Sequence, residues 1–408
     1  MAPRIATVLC RPSTAHCPPP ASVRCPLPSR ARYVPCSYAE LDMSIASERA
    51  DERDAGFMRR ALTLAKKGWG QTAPNPMVGA VVVRENVVVG EGYHARYGET
   101  HAEVEALRAA GERARGATVY VSLEPCNHFG KTPPCVDALI AAGVSRVVAA
   151  TRDPSPTAGG GAERLRAAGI DVTFDIEASA ARELNAPFFH ALRSDRPWVT
   201  LKLALSIDGA IADASRAPAW LTGKKARREV HRLRAGSDAI GVGLGTVRAD
   251  NPELTVRDVA PPRVAPARVV FTRLGQLPLA SALARTATEV PTVVLAESVD
   301  LAHARRLMAL GVEVLAGTSI EEGVRALRQR GIRSLLVEGG AGITGALLRA
   351  NLVDRLIIFQ APVLLGAGSL PGFENAPSMA ASGARRFPIV RRAELDDDLM
   401  TVYALHSI

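Results

Sequence analysis

His101-Ala102-Glu103, then Pro125-Cys126, then Cys135 make the strongest demand on any fold for this chain. One imidazole and two thiols scattered between residues 101 and 135 must meet at a point. One His and two Cys supply three ligands to Zn²⁺ and leave the fourth tetrahedral position open. Bound zinc lowers the pKa of a water in that position toward neutrality. A carboxylate two residues after the His then has a task as proton carrier, which is the role expected of Glu103. Taken singly, a His at a helix start is a cap or core residue, and two Cys are inert. The four residue types in this order point to metal. The nine-residue spacing from Cys126 to Cys135 is longer than the three-residue spacing of the commonest form.

The flanking pattern predicts how the ligands are held. Val104, Leu107 and Ala110 follow His101 at helical spacing, and Val136, Leu139 and Ile140 follow Cys135. Both groups therefore sit at helix N-termini, where free N–H groups favour thiolate and carboxylate. Thr118–Ser122 reads as a buried strand between them. Upstream, Met58, Ala61, Leu62 and Ala65 define a helix with Asp54 as cap and Gly68 as stop. Val78–Val83 and Val87–Gly92 form a hairpin through Arg84-Glu85-Asn86. Strands and helices then alternate to about residue 174, the order of a three-layer α/β domain. A helix near 178–191 and the stretch Arg193-Ser194-Asp195-Arg196-Pro197 read as a linker.

The second half carries other signals. Trp198–Leu205 is a strand entering Ser206-Ile207-Asp208-Gly209, and Asp238–Gly241 is a strand entering Val242-Gly243-Leu244-Gly245-Thr246. Leu335–Glu338 precedes Gly339-Gly340-Ala341-Gly342-Ile343-Thr344-Gly345. Glycines between strand and helix let backbone N–H groups approach a diphosphate. They also close ordinary turns, and without G-x-G-x-x-G no Rossmann assignment follows.

Composition bounds the function. Net charge is +9, but residues 1–42 hold five Arg against Glu40 and Asp42. Aromatics are only 4%, with no basic run interleaved with them, so a nucleic-acid surface is not expected. No apolar run is long enough to span a membrane. Four of six Cys lie in residues 1–42, so the body has no thiols left for disulfides beyond the proposed ligands, which fits a cytoplasmic setting. Residues 1–50, with Pro18-Pro19-Pro20, are expected to be a disordered extension, or the product of an upstream start with Met43 as the true first residue.

Several segments together resemble the bacterial bifunctional riboflavin-biosynthesis deaminase–reductases. They are Pro74-Asn75-Pro76-Met77-Val78-Gly79, Gly90-Glu91-Gly92-Tyr93-His94, His101-Ala102-Glu103-Val104, and Leu123 through Cys135 with its Asn127-His128-Phe129-Gly130-Lys131-Thr132 centre. The long Cys–Cys loop is that family's form. The resemblance implies a cytidine-deaminase-like three-layer domain over 51–176, a linker over 177–197, and a dihydrofolate-reductase-like domain over 198–408. It implies deamination of 2,5-diamino-6-(5-phosphoribosylamino)pyrimidin-4-one, then NADPH-dependent reduction of 5-amino-6-(5-phosphoribosylamino)uracil, in a homo-oligomer acting on small molecules.

By the same resemblance Asn75, His94 and His128 hydrogen-bond the pyrimidine or ribose, and Lys131 meets the phosphate. Asn75 is otherwise a turn residue, and His94 the cap of a strand end. Ala204, Trp220, Thr246, Asp250 and the run Gly340, Ala341, Gly342, Ile343, Thr344, Gly345 and Ala346 lie near NADPH. Arg234, Leu254, Arg257 and Glu338 lie near the reductase substrate. Lys202 and Glu338 are the candidates for proton handling, although Lys202 could instead orient Asp250 or the cofactor amide. Pro218 departs from the polar residue common there, which puts that substrate contact in question. A deaminase of nucleic acid would need base flipping or a single strand; the aromatic poverty and the second half argue against it. A dead deaminase fold would have no use for Glu103. No motif is shared between the halves, so each centre is expected to work without the other.

Overall fold

The computed structural model describes residues 38–217, 219–378 and 380–408, and side chains from Glu52 onward except Ala381. The expected extension is therefore undescribed up to residue 37; from Tyr38 the backbone is helical. Pro218 also lies outside the described residues.

In the first half a five-stranded sheet has the order β2-β1-β3-β4-β5. Its strands are β1 (Gly79–Arg84), β2 (Val87–Tyr93), β3 (Thr118–Val121), β4 (Arg146–Ala149) and β5 (Asp171–Thr173). β1 is antiparallel to β2 and β3, whereas β3, β4 and β5 are parallel. Helices are α1 (Tyr38–Ala65), α2 (Ala102–Ala110), α3 (Cys135–Ala142), α4 (Gly161–Ala167), α5 (Ala178–Leu184) and α6 (Ala186–Ala191).

The period-two alternation of strands separates the two cores. Ala80, Val82, Val119 and Val121 pack under α2, α3 and α4. Val81, Val83, Tyr120 and Val148 pack against Met58, Ala61 and Leu62 of α1 and Ala181 of α5. The expected three layers are present. Asp54 is no helix cap, because α1 begins well upstream. It lies inside the helix and accepts from Tyr120 Oη at 2.6 Å and Arg146 Nη2 at 2.8 Å, tying α1 to the sheet.

The hairpin turn places Glu85 and Asn86 at φ 52° and 63°, the pair of left-handed residues a two-residue turn requires. On β2, a Cβ at Gly90 would stand 2.2 Å from Ala106 O, and one at Gly92 2.3 Å from Ala102 O. Both glycines are therefore packing positions. They let α2, with Glu103 in its first turn, lie directly on the sheet.

The second half holds a nine-stranded mixed sheet ordered β11-β10-β9-β8-β12-β6-β13-β16-β15. Its strands are β6 (Trp198–Leu205), β8 (Ala239–Gly243), β9 (Ala267–Thr272), β10 (Thr292–Ala296), β11 (Glu313–Ala316), β12 (Ser334–Glu338), β13 (Arg355–Gln360), β15 (Ile389–Leu395) and β16 (Asp398–Ala404). A separate pair joins β7 (Ala210–Ala212) and β14 (Leu370–Pro371). Helices are α7 (Lys224–Ala235), α8 (Leu244–Asp250), α9 (Ala282–Arg285), α10 (Leu301–Ala309), α11 (Ile320–Gln329) and α12 (Ala341–Arg349).

On β6, Val199, Leu201, Leu203 and Leu205 enter the main core with Leu335 and Val337 of β12. The intervening positions, Lys202 and Ala204, fall on the opposite face. Register makes Glu338 the Cα partner of Lys202. Adjacent strands thus deliver Lys202 and Glu338 side by side at the point where β12 turns into α12.

Two candidate active sites

The sulfur and nitrogen donors of His101, Cys126 and Cys135 all lie within 4.8 Å of one another. His101 Nδ1 is 3.3 Å from Cys135 Sγ and 3.5 Å from Cys126 Sγ. Zn–S and Zn–N bonds of about 2.3 and 2.0 Å at a tetrahedral angle give edges of roughly 3.5–3.8 Å, close to the two nitrogen–sulfur separations. His101 is the residue before α2 and Cys135 the first residue of α3. The Cys135 N–H donates to Cys126 Sγ at 3.4 Å. Bonding from the Cys135 thiol and from His101 outweighs the cost of burial and lowers Cys126 to about 4, a thiolate. The shared proton stays with Cys135, which is raised for the same reason and by burial.

Glu103 is buried in the wall of the same cavity. Burial first, and the Cys126 charge second, push it up to about 7. That value suits a group that must both take and give a proton near neutral pH. The cavity, about 540 Å³, is lined by Asn75, His94, His101, Glu103, Cys126, His128 and Lys131. Cys135 sits behind them with no exposure. His94 Nδ1 faces Thr100 O at 3.2 Å, and its Nε2 faces Asn75 Nδ2 at 3.3 Å. An N–H on Nδ1 donates to the carbonyl, and Nε2 accepts from the Asn75 amide; burial lowers the His94 pKa and keeps this neutral form. His128 Nδ1 is buried with no protein partner. Lys131 is exposed, with Nζ 4.3 Å from the Tyr97 ring centroid. All four residues expected to bind the pyrimidine or its tail are brought to one cavity.

The second site is a cleft of about 1200 Å³, every lining residue of which comes from position 202 onward. Lys202, Ala204, Trp220, Arg234, Thr246, Asp250, Arg257, Glu338, Gly340, Ala341, Gly342, Ile343 and Ala346 line it. Arg234 grips Glu338 through Nε and, at 3.0 Å, through Nη2, and donates to Thr255 O at 2.8 Å. Burial would raise Glu338, but Arg234 first, then Lys202 and His231, hold it below the usual carboxylate range. Burial lowers Lys202, against the opposing pull of Glu338. Among the described residues Lys202 has no ion-pair partner. Its Nζ lies 5.6 Å from the Phe359 ring centroid.

Three expected positions fall elsewhere. Leu254 is buried in the core formed with Val242, Val247 and Val270. Thr344 is fully buried under the turn, its Oγ1 2.6 Å from where a Gly339 Cβ would stand. Gly345 is packed against the Asn375 main chain, where a Cβ would stand 2.3 Å from Asn375 O. Helix geometry explains the last two, since only part of α12's first turns can face the cleft. Conversely, His231 lines the cleft and accepts from the Arg257 N–H at 3.1 Å. Its α7 spacing alone marks it as a core position.

The amides of the first α12 turn have no acceptor within the helix. The Gly339-Gly340 approach leaves them at the cleft, with Gly342 open to space beyond. Free amides at a helix start can accept an anionic group.

Residues 51–151 match the model of the cytidine and deoxycytidylate deaminase zinc-binding region, and residues 197–387 that of the RibD C-terminal domain. The riboflavin biosynthesis protein RibD of Aquifex aeolicus is 44% identical over 320 residues, covering 78% of this chain and 89% of that one. The chain belongs to the RibD family. RibD of Escherichia coli is 43% identical over 356 residues, covering 79% and 93%. Among solved structures, Acinetobacter baumannii RibD superposes with TM-score 0.74 at 38% identity, covering 87% of this chain and 99% of that one. A Thermotoga maritima diaminohydroxyphosphoribosylaminopyrimidine deaminase/5-amino-6-(5-phosphoribosylamino)uracil reductase superposes at 0.75 and 35%, with the same coverage. The fold class expected for both halves is thereby met. No described helix is long and apolar enough to cross a membrane.

Proposed function

We propose that the small pocket hydrolyses the C2 amino group of 2,5-diamino-6-(5-phosphoribosylamino)pyrimidin-4-one to an oxo group and ammonia. The cleft then reduces the resulting 5-amino-6-(5-phosphoribosylamino)uracil to its ribitylamine with NADPH. The observation that carries this reading is Glu103, buried and raised to about 7 beside a His/Cys/Cys donor set.

His101, Cys126 and Cys135 would hold zinc, which when bound would supply a water acidified toward neutrality. Glu103 receives the proton released there, passes it to the adjacent ring nitrogen, and then serves the departing ammonia. Asn75 and His94 orient the ring through their paired hydrogen bond, His128 offers its unclaimed Nδ1, and Lys131 attracts the phosphate.

In the cleft, NADPH would supply hydride when bound. The backbone at Gly340–Ile343 would hold the cofactor's phosphates, and Ala204, Trp220, Thr246, Asp250 and Ala346 line the same cleft. Lys202, its pKa lowered by burial, gives a proton to the nitrogen as C1′ of the ring-opened ribosylamine is reduced. Glu338 and Arg234, joined as an ion pair, and Arg257 fix the substrate. A cytoplasmic, homo-oligomeric enzyme of small molecules is part of the same proposal. Assays of zinc content, ammonia release from the diaminopyrimidine phosphate, and NADPH oxidation on the deaminated product test it. Zinc-loaded protein that releases no ammonia from that substrate would overturn it.

A further inference from the structure

The deaminase pocket contains one side chain from the other half of the chain. Arg333 lies just before β12, yet it lines the cavity with His101, Glu103 and Lys131. Its main chain is held on both sides: its N–H donates to Asp238 Oδ2 at 2.9 Å, and its carbonyl accepts from Trp198 N at 2.8 Å. The side chain reaches across and donates from Nη1 to Pro74 O at 3.0 Å, in the loop that carries Asn75. Among the described residues that is its one hydrogen bond, and it has no carboxylate partner. Neighbouring contacts fix the approach of the two halves at the same loop. Trp69 Nε1 donates to Arg232 O at 2.7 Å, and Arg263 Nη2 donates to Ala73 O at 2.6 Å.

Of the described residues lining the cavity, Lys131 and Arg333 are the two with permanent positive charge. A phosphate monoester carries a charge of about −1.5 to −2 near pH 7. Lys131 is a single point charge on a flexible stem, on an exposed loop. A guanidinium presents a planar fork suited to phosphate oxygens and, with its main chain fixed, loses less freedom on binding. One nitrogen of Arg333 is committed to Pro74; Nε and Nη2 are not.

We infer that Arg333 binds the phosphate of the deamination substrate, so that the reductase half completes the deaminase pocket. The inference rests on the deaminase reading above and deepens it. The rival role is a structural clamp, in which Arg333 only pins the Pro74–Asn75 loop. The two roles differ in what they do to a substrate without phosphate.

The test uses the full-length, zinc-loaded protein and measures ammonia release from the phosphoribosylaminopyrimidine and from its dephosphorylated counterpart. With Arg333→Ala, KM for the phosphorylated substrate should rise about 10- to 100-fold, the loss expected for charged hydrogen bonds, with kcat near wild type. KM for the dephosphorylated compound should not change, and Arg333→Lys should restore part of the loss. An unchanged KM for the phosphorylated substrate, or an equal fall in turnover of both, overturns the inference. Zinc content and thermal midpoint report whether Arg333→Ala is folded. If it is not, the ratio of the two KM values in Arg333→Lys decides, and a wild-type ratio overturns the inference. Wild-type protein inactive on the phosphorylated pyrimidine would instead sink the deaminase reading itself.

Discussion

The two pockets are built on opposite plans. The smaller is centred on a candidate metal-ligand cluster, with donors drawn from 101 to 135 and a carboxylate buried against them. The larger is an open cleft at the ends of parallel strands that are distant in sequence, floored by backbone amides and an Arg–Glu pair. Dependence also runs one way. The cleft takes every lining residue from its own half, whereas the pocket takes Arg333 from the other. A site that a metal would anchor can tolerate a borrowed wall, because three short bonds would fix its centre. A site anchored by strand register needs its own sheet intact.

The sharpest way to break this comparison is at Glu103. Glu103→Ala should keep zinc and lower ammonia release by about 10⁴-fold, since one carboxylate serves successive proton transfers each worth at least about 10². NADPH oxidation on supplied deaminated substrate should stay at the wild-type rate. Reduction that fell with deamination would show that the centres are chemically coupled and the contrast above mistaken.

Next in size is the joint between the halves. Asp354 accepts two bonds from Arg196 in the linker, at 2.6 and 2.7 Å, and one from the Val199 N–H at 2.8 Å. The adjoining Arg355 grips Glu183 of α5. Burial would raise Asp354, but Arg196 and the Val199 amide outweigh it and leave the carboxyl below its usual range. A lowered carboxyl pKa adds stability that is complete above the unfolded value near 3.9 and is lost as pH falls through the folded one. Asp354→Ala strands a largely buried guanidinium and should cost about 3–5 kcal/mol. Melting curves from pH 7 down to 3 check both points: the wild type should lose its margin over the variant only at the acid end. A margin that stayed constant to pH 3 would remove Asp354 from the joint.

A third test addresses the cleft alone. Glu338→Gln keeps shape and one acceptor but removes the charge that Arg234 and Lys202 face. Reduction should fall about 10²-fold in kcat/KM, while zinc content and ammonia release hold. Equal loss of both activities would mean that this ion pair supports the whole chain and not its own site.

What could be read in advance divides along the same line. The candidate metal donors and Glu103 are legible because their spacing and helix-start context are local. Asn75, His94, His128 and Lys131 were legible only through resemblance, and the cavity does gather them. Arg333 left no mark, since nothing in Gly331-Ile332-Arg333-Ser334 says that a side chain before β12 faces a loop at residue 74. His231 was hidden by its helical spacing. The resemblance places Leu254, Thr344 and Gly345 at the cleft, but the first two are buried and the third packs against the Asn375 main chain. An acid before an apolar helical stripe reads as a cap; the partners of Asp54 on the sheet, Tyr120 and Arg146, are far off in sequence.

The smallest effect concerns the hairpin beneath the metal site. Glu85 adopts φ 52° without the short polar side chain that makes the left-handed region accessible. Asn is several-fold enriched there, which corresponds to about 0.5–1 kcal/mol. Glu85→Asn should therefore stabilise the turn joining β1 to β2, whose far end leads to His94. The turn lies at the opposite end of the strands from the pocket, so kcat for deamination should not change. Heating the variant while following zinc release and NADPH-dependent reduction separately then asks whether the halves unfold together. If both midpoints rise by the same degree or two, the interface at Trp69, Arg263 and Arg333 joins them into one cooperative unit. If only zinc retention improves, the metal-anchored half melts on its own. A midpoint for zinc release that does not rise would mean that the left-handed turn costs this hairpin nothing.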